Sequence, residues 1–203
     1  VDRQIVADVP LCSLLSGGLD SSIITALASR KLLAEGKENI HSFSVDFLDH
    51  GSSFASDAVR GTPDAPFVRD LVERIHCSHH EIVLDSRELA DPALRHRVIE
   101  ALDLPPAFWG DMWPSLYRLF QEVRQHSTVA LSGESADEVF GGYRWFHDPA
   151  AIQAQTFPWL VSVTGKYFDG KTLFDPALLN QLDLPGFVQD SYSQALSEAP
   201  VLP

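Results

Sequence analysis

Short apolar runs alternate with stretches of helical spacing over the first two-thirds of the chain. Residues 9–15 form an apolar run that ends at Ser16-Gly17-Gly18. Over residues 21–33, Ile24, Leu27, Ala28 and Leu32 recur on one helical face, and Gly36 stands where a left-handed residue closes a helix. Residues 41–45 predict a second strand. Residues 67–75 carry Val68, Leu71, Val72 and Ile75 on one side of a helix, and residues 80–84 predict a third strand. Residues 88–102 and 115–123 predict further helices. Residues 128–131 predict a fourth strand, again ending at Ser-Gly, here Ser132-Gly133. Strand and helix in alternation predict an α/β fold: a parallel sheet with helices on both faces, joined by right-handed crossovers. Ligands of such sheets bind at the carboxyl ends of the strands. Both Ser-Gly turns fall at such ends, which points to one site built from two separate segments.

Two stretches read as exposed loops. Residues 48–66 hold Gly51, Ser52, Ser53, Ser56, Gly61 and Pro63; residues 104–114 hold Pro105, Pro106, Gly110 and Pro114 beside Phe108, Trp109 and Trp113. Past Tyr143 the rhythm fades into helical pieces punctuated by Pro149, Pro158, Pro176 and Pro185. The organisation expected is a core over residues 1–148 and a helical, proline-containing extension of the same domain over 149–203.

Composition narrows the function. The 203 residues are 45% hydrophobic and 21% charged, which suits a globular chain with a real core. Lys and Arg number 15 against 28 Asp and Glu, a net charge of −13. That balance argues against nucleic-acid partners, which need clustered cations, and against an electrostatic membrane anchor. A phosphate ligand would have to be held by backbone N–H groups, a metal ion or a few local cations. Cys12 and Cys77 are too far apart for a zinc spacing and too few for a disulfide framework, so a reducing cytoplasm is expected. No apolar run approaches a membrane span. The start at Val1 and the end at Pro203 read as cuts within a longer protein, with the domain incomplete at its C-terminus.

The sharpest feature is Ser16-Gly17-Gly18-Leu19-Asp20-Ser21-Ser22, between a strand and a helix. Two glycines open backbone conformations closed to other residues, so that N–H groups can turn inward together. The following helix adds free N–H groups and its positive dipole end, and Ser16, Ser21 and Ser22 add hydroxyls. The assembly suits a phosphate or pyrophosphate. Asp20 is a misfit in an anion site unless it holds a cation, and Mg²⁺ bridging carboxylate and phosphates accounts for it. An ordinary turn with Asp20 and Ser21 as helix caps would not need so long a run of glycine and polar residues. Neither GxxxxGK[ST] nor GxGxxG occurs.

The second feature is Ser132-Gly133-Glu134-Ser135-Ala136-Asp137-Glu138-Val139-Phe140-Gly141-Gly142-Tyr143, with three carboxylates within five residues. Acidic residues there could simply complement a helix dipole. Paired with the first motif, they are the obvious source of a second metal ligand and a general base.

The first motif resembles the pyrophosphate loop of the N-type ATP pyrophosphatases. The second resembles the matching segment of glutamine-hydrolysing asparagine synthetases, as do Asp8-Val9-Pro10 and His41-Ser42-Phe43. The resemblance covers roughly residues 1 to 148. It implies an adenine nucleotide α-hydrolase-like fold and a ligase that uses ATP and Mg²⁺. In that family an aspartate carboxylate attacks the α-phosphate, pyrophosphate leaves, and ammonia displaces AMP from a β-aspartyl adenylate to give asparagine. By position, Ser16, Gly17, Gly18, Asp20, Ser21 and Ser22 would hold the pyrophosphate portion. Asp20 and Asp137 would ligate Mg²⁺, and Leu14 and Val45 would line the adenine slot. Ser132 and Gly133 would lie against ribose and α-phosphate, and Glu134 would be the general base. The partners implied are aspartate and ammonia, the latter from a glutaminase domain absent from this chain, within a full enzyme compatible with a homodimer. The alternatives are a β-lactam synthetase or peptide cyclase of the same superfamily, or a truncated nucleotide-binding module without turnover. The β-lactam enzymes lack the equivalent of Glu134.

Three departures stand out. Ser135 replaces a glycine usual in the family, so either positive φ is not needed there or the geometry has shifted. No N-terminal nucleophilic Cys is present; Cys12 reads as a small buried core residue, and the chain alone should not hydrolyse glutamine. The phosphate-neutralising lysine and the aspartate-binding residues have no evident counterpart, and Lys166 and Lys171 read as solvated charges. Among lesser candidates, His76, His79 and His80 have the composition of a metal cluster but not its helical spacing, and exposed imidazoles at a strand start are the expected arrangement. Trp109 and Trp113 read equally as a substrate-side wall or as core. Tyr143, Arg144 and Trp145 follow the second motif, Arg144 as a candidate for an anionic group.

Overall fold

The computed structural model describes residues 1–48, 54, 61–103, 112–162 and 175–200. Most of the two predicted loops, with Pro105, Pro106 and Trp109, and also Lys166 and Lys171, lie outside the described residues. The chain forms two compact units, Val1–Glu134 and Ser135–Pro203.

The first unit is built on a parallel sheet of β1 (Leu11–Leu14), β2 (His41–Phe47), β3 (Ser78–Leu84) and β4 (Val129–Leu131), in the order β3-β2-β1-β4. The chain steps outward from β1 through β2 to β3, then returns to the other side of β1. The strand order therefore reverses between β1 and β4, and a crevice opens at their carboxyl ends. The predicted α/β fold with its parallel sheet is the one observed.

The helices follow the apolar spacing, with differences at their bounds. Helix α1 (Leu19–Ala34) begins two residues before the expected start, because Gly18 and not a hydroxyl or carboxylate residue is its N-cap. Its end is closed by Gly36 at φ +68°, with Gly36 and Lys37 N–H groups bonded to the Leu33 and Leu32 carbonyls. Helix α2 is Ala65–Ile75. The single helix expected over 88–102 is two, α3 (Ser86–Leu89) and α4 (Pro92–Leu102). Pro92 lacks an N–H and pushes Asp91 to an extended ψ of 121°, where its side chain caps α4 by accepting from the Ala93 N–H. Helix α5 (Met112–His126) extends the prediction at both ends.

Alternation along the strands divides the core. Leu11 packs with Ile24, Ala28, Leu32, Val72 and Ile75 on the face covered by α1 and α2. Cys12, Leu14, Phe43 and Val45 pack on the other face with Leu116, Leu119 and Val123 of α5. A third cluster joins Leu84, Leu89, Leu94 and Val98, and Trp113 packs against it, so Trp113 is core.

The second unit is helical: α6 (Ala136–Phe140), a 3₁₀ turn (Arg144–Phe146), α7 (Pro149–Gln153), α8 (Pro158–Ser162), α9 (Pro176–Leu182) and α10 (Leu184–Glu198). Pro149, Pro158, Pro176 and Pro185 stand at helix starts: Asp148 and Asp175 cap α7 and α9 just ahead of Pro149 and Pro176. Among the described residues no helix is long and apolar enough to cross a membrane.

Candidate functional site

The first turn leaves the sheet under tight control. The Leu15 N–H still donates to the Phe43 carbonyl at 2.8 Å, continuing the ladder one residue past β1. Gly17 then turns at φ +81°, and a Cβ on it would stand 2.8 Å from the Asp64 carbonyl oxygen and 3.3 Å from Phe67 Cβ. Glycine is needed there both for its dihedral and for its missing side chain. Gly18 caps α1 with no side-chain hydrogen bond, so no side chain of the cap occupies the first N–H groups of the helix. Ser21, buried in that first turn, folds back. Its Oγ accepts from the Ser16 N–H (3.1 Å), meets Ser16 Oγ (3.0 Å) and donates to the Gly18 carbonyl (3.2 Å). Ser21 thus fastens the loop from beneath, while Ser16 is exposed at its rim and Ser22 is half-buried. Asp20 is half-buried on the same helical turn, and among the described residues no cation pairs with its carboxylate.

The second turn comes up against the first. Ser132 accepts the Glu134 N–H on its Oγ at 3.2 Å. A Cβ on Gly133 would lie 2.9 Å from the Ser21 nitrogen, 3.0 Å from Asp20 Cβ and 3.2 Å from the Asp20 carbonyl carbon. The backbone after β4 is therefore seated directly on the first turn of α1. Glu134 is exposed beyond this contact. Ser135 adopts φ 71°, ψ 2°, so the left-handed conformation is kept with a residue that has a Cβ. Leu14 and Val45 are half-buried on the α5 face, around Cys12 and Phe43. A helix start without a side-chain cap, a half-buried carboxylate and a cradle closed to a Cβ suit a phosphate carried with a divalent cation.

In the second unit, Asp137 lies on α6 and accepts the Gly142 N–H on its carbonyl at 3.0 Å; a Cβ on Gly142 would collide with the Asp137 carboxylate. Tyr143 donates to Glu138 (2.9 Å) and stacks on Trp145 with ring centroids 4.2 Å apart, while Arg144 is exposed.

The histidines correct an expectation. His76 is exposed, but His79 and His80 are half-buried. His79 lies between Ser42 Oγ (2.8 Å) and Ser44 Oγ (3.0 Å). His80 stacks on Phe43 (4.6 Å) and meets the rings of His41 and His126. Burial pushes both imidazoles below their ordinary value, assisted at His80 by the neighbouring His126 and His41. These residues pair within the sheet, and among the described residues no group of three side chains is placed to hold a metal ion. Cys12 is fully buried with its thiol pushed up by burial, as a core residue should be. Sequence reasoning passed over Ser13 and Thr25, both fully buried beneath the first turn. Their signal was a hydroxyl at a position where an apolar run and a helix face called for carbon.

The first unit is thus an α/β protein whose parallel sheet carries a glycine turn where its strand order reverses. The family model described as asparagine synthase matches residues 1–203, and the chain belongs to that family. It is 36% identical over 202 residues to asparagine synthetase [glutamine-hydrolyzing] 3 of Bacillus subtilis (strain 168), covering 100% of this chain and 31% of that protein. A probable asparagine synthetase [glutamine-hydrolyzing] of Schizosaccharomyces pombe is 33% identical over 158 residues, 76% of this chain and 28% of the relative. A second Bacillus subtilis protein, asparagine synthetase [glutamine-hydrolyzing] 1, is 33% identical over 153 residues, 75% and 21%. The chain thus spans under a third of the length of these curated relatives.

Proposed function

We propose that this chain is the nucleotide-binding part of a synthetase that makes asparagine from aspartate, ATP and ammonia. The observation that carries the reading is the seating of Gly133 on Asp20 and Ser21, which turns two distant motifs into one surface. ATP is the substrate. Its β- and γ-phosphates rest on the N–H groups of Gly17, Gly18 and the first turn of α1, with Ser16, Ser21 and Ser22 around them. Leu14 and Val45 offer the adenine an apolar wall. Magnesium supplies charge neutralisation on the phosphate oxygens when bound. Asp20 would hold it from the first unit, and Asp137, carried over on its motif alone, would be the second ligand. Ser132 and Gly133 border the ribose and α-phosphate.

The aspartate carboxylate attacks the α-phosphate, forming a β-aspartyl adenylate and releasing pyrophosphate. Ammonia then attacks the activated carbonyl, and AMP leaves with the former carboxylate oxygen. Glu134 takes the proton that the attacking nitrogen must lose; its exposed position leaves the carboxylate room to meet a substrate. The ammonia comes from a glutaminase domain of the larger protein, and free, buried Cys12 and Cys77 suit a reducing cytoplasm.

Calorimetric titration with ATP, with and without Mg²⁺, tests the nucleotide half. Saturable, Mg²⁺-dependent binding that Asp20→Ala abolishes is the expected result; binding indifferent to both would sink the metal assignment. The chemistry is tested by Glu134→Gln, which should retain pyrophosphate release with aspartate while losing asparagine formation. Undiminished amide formation would remove Glu134 as the base and favour a superfamily member that activates another carboxylate.

A further inference from the structure

Beneath the first turn lies a line of hydroxyl groups, two of which, Ser13 and Thr25, the reaction itself does not use. Ser13 on β1 and Thr25 on α1 are both fully buried. Thr25 Oγ1 donates its one proton to the Ser21 carbonyl at 2.8 Å and lies 3.1 Å from Ser13 Oγ, whose hydroxyl can donate to it. Ser21 in turn fastens the Ser16 N–H, the Ser16 hydroxyl and the Gly18 carbonyl. The line therefore runs from the central strand of the sheet, across the strand–helix interface, into the loop.

Two hydroxyls facing each other at such an interface cost desolvation that alanine and valine would avoid, so packing alone does not account for them. Their placement does. Apolar contacts between α1 and β1 tolerate a small rotation or slide of the helix, because dispersion is not directional. A directional bond at the second turn of α1 sets the rotation of the helix about its axis, and with it the aim of the N–H groups at its start. The Ser21 hydroxyl, one turn earlier, transmits that setting to Ser16 and Gly18.

We propose that Ser13 and Thr25 are positioning residues for the phosphate-binding loop: they fix α1 against β1 so that the loop is pre-shaped for a polyphosphate. The inference rests on the reading of this loop as the nucleotide site. It predicts a loss confined to ligands that carry phosphates. The probes are Mg-pyrophosphate, Mg-ATP and adenosine, titrated against the full chain and against Thr25→Val, Thr25→Ser and Ser13→Ala. Thr25→Val keeps the shape and removes the hydroxyl. It should weaken Mg-pyrophosphate and Mg-ATP roughly five- to ten-fold and leave adenosine unchanged, the size expected for one lost buried hydrogen bond. Thr25→Ser should restore phosphate affinity. Ser13→Ala, which cuts the link at the sheet end, should show a smaller loss in the same direction and serves if the valine variant does not fold. Equal binding by both the valine and alanine variants, or parallel losses for adenosine and pyrophosphate, would overturn the inference. If the unaltered chain binds no Mg-ATP, the nucleotide reading fails and this inference falls with it; if it binds and the variants match it, only the inference falls.

Discussion

The two Ser-Gly turns solve the same problem by different means. The turn after β1 is braced from below: Gly17 supplies the positive φ, Ser21 fastens the loop and a 16-residue helix follows. Among the described residues, the turn after β4 shows no such brace. Its carboxylate follows one internal bond, Ser132 to Glu134, and the helix behind it has five residues, with Val139 and Phe140 exposed by 74% and 82%. Its position comes from Gly133 resting on α1, and its exit direction from Ser135 held left-handed. One turn is rigid because of what lies under it; the other is located by what it leans on. In such a pair, the glycine turn can be set before any ligand arrives, while the segment carrying Glu134, the proposed base, borrows its placement from that turn.

The largest effect should come from breaking the lean. Gly133→Ala places a Cβ 2.9 Å from the backbone nitrogen of Ser21, an atom that cannot move aside without opening α1. Overpacking of this kind costs about 1–3 kcal/mol, and a displaced site segment costs roughly 100-fold in turnover with ATP. Steady-state pyrophosphate release measures it, with urea unfolding alongside. Gly17→Ala should come next, and should act on the cradle itself. The left-handed dihedral costs an L-residue about 1–2 kcal/mol, and the approach to the Asp64 carbonyl adds to it. A lower urea midpoint together with weaker Mg-pyrophosphate binding is the expected outcome.

Acid should act on the sheet rather than on the braces of the first turn. Those braces are hydroxyls, which do not titrate. In the sheet, the His80 ring lies 4.5 Å from that of His126. Facing His80 are His41, His126 and, through His126, Glu122; facing His79 are Ser42 and Ser44, with Glu81 nearby. His79 and His80 titrate below their ordinary 6.5 in the folded chain. Below that value the unfolded chain binds protons that the folded one refuses, so this part of the stability is complete above pH 6.5 and declines as pH falls through the folded values. Urea midpoints at pH 7.5 and 5 should differ in that sense, and His80→Gln should narrow the difference. The smallest effect concerns Ser135. Relief of its left-handed dihedral, about 1–2 kcal/mol, outweighs the added chain freedom of glycine, about 0.5–1 kcal/mol. Ser135→Gly should therefore raise the urea midpoint slightly, and an unchanged midpoint would show that the serine sits there without strain.

The sheet and both turns were legible in the sequence because each depends on local chemistry: alternation, apolar runs and glycines at strand ends. The break at Ala90-Asp91-Pro92 was also written there, as an Asp-Pro helix start inside a helical pattern, and the longer-range periodicity masked it. The histidines illustrate the opposite limit. Their partners are Ser42 and Ser44 across a strand pair, and His126 from a helix three elements later, so nothing near residues 76–80 announced burial. Thr25 and Ser13 were hidden for the same reason. A lone hydroxyl in an apolar pattern acquires meaning only when strand and helix are packed together.

The strand order has a consequence for time as well as for shape. β1 lies between β2 and β4, hydrogen-bonded on both sides, with the Pro10 carbonyl just before it bonded to Thr128 and Val129. Its amide protons have no local route to solvent and escape only when the first unit opens as a whole. Four residues at the centre of the sheet thus keep time for the entire unit. A molecule that occupies the crevice of the folded unit should slow their exchange by the factor with which it stabilises that unit. The slowest hydrogens in the chain would then register occupancy at a site none of them touches.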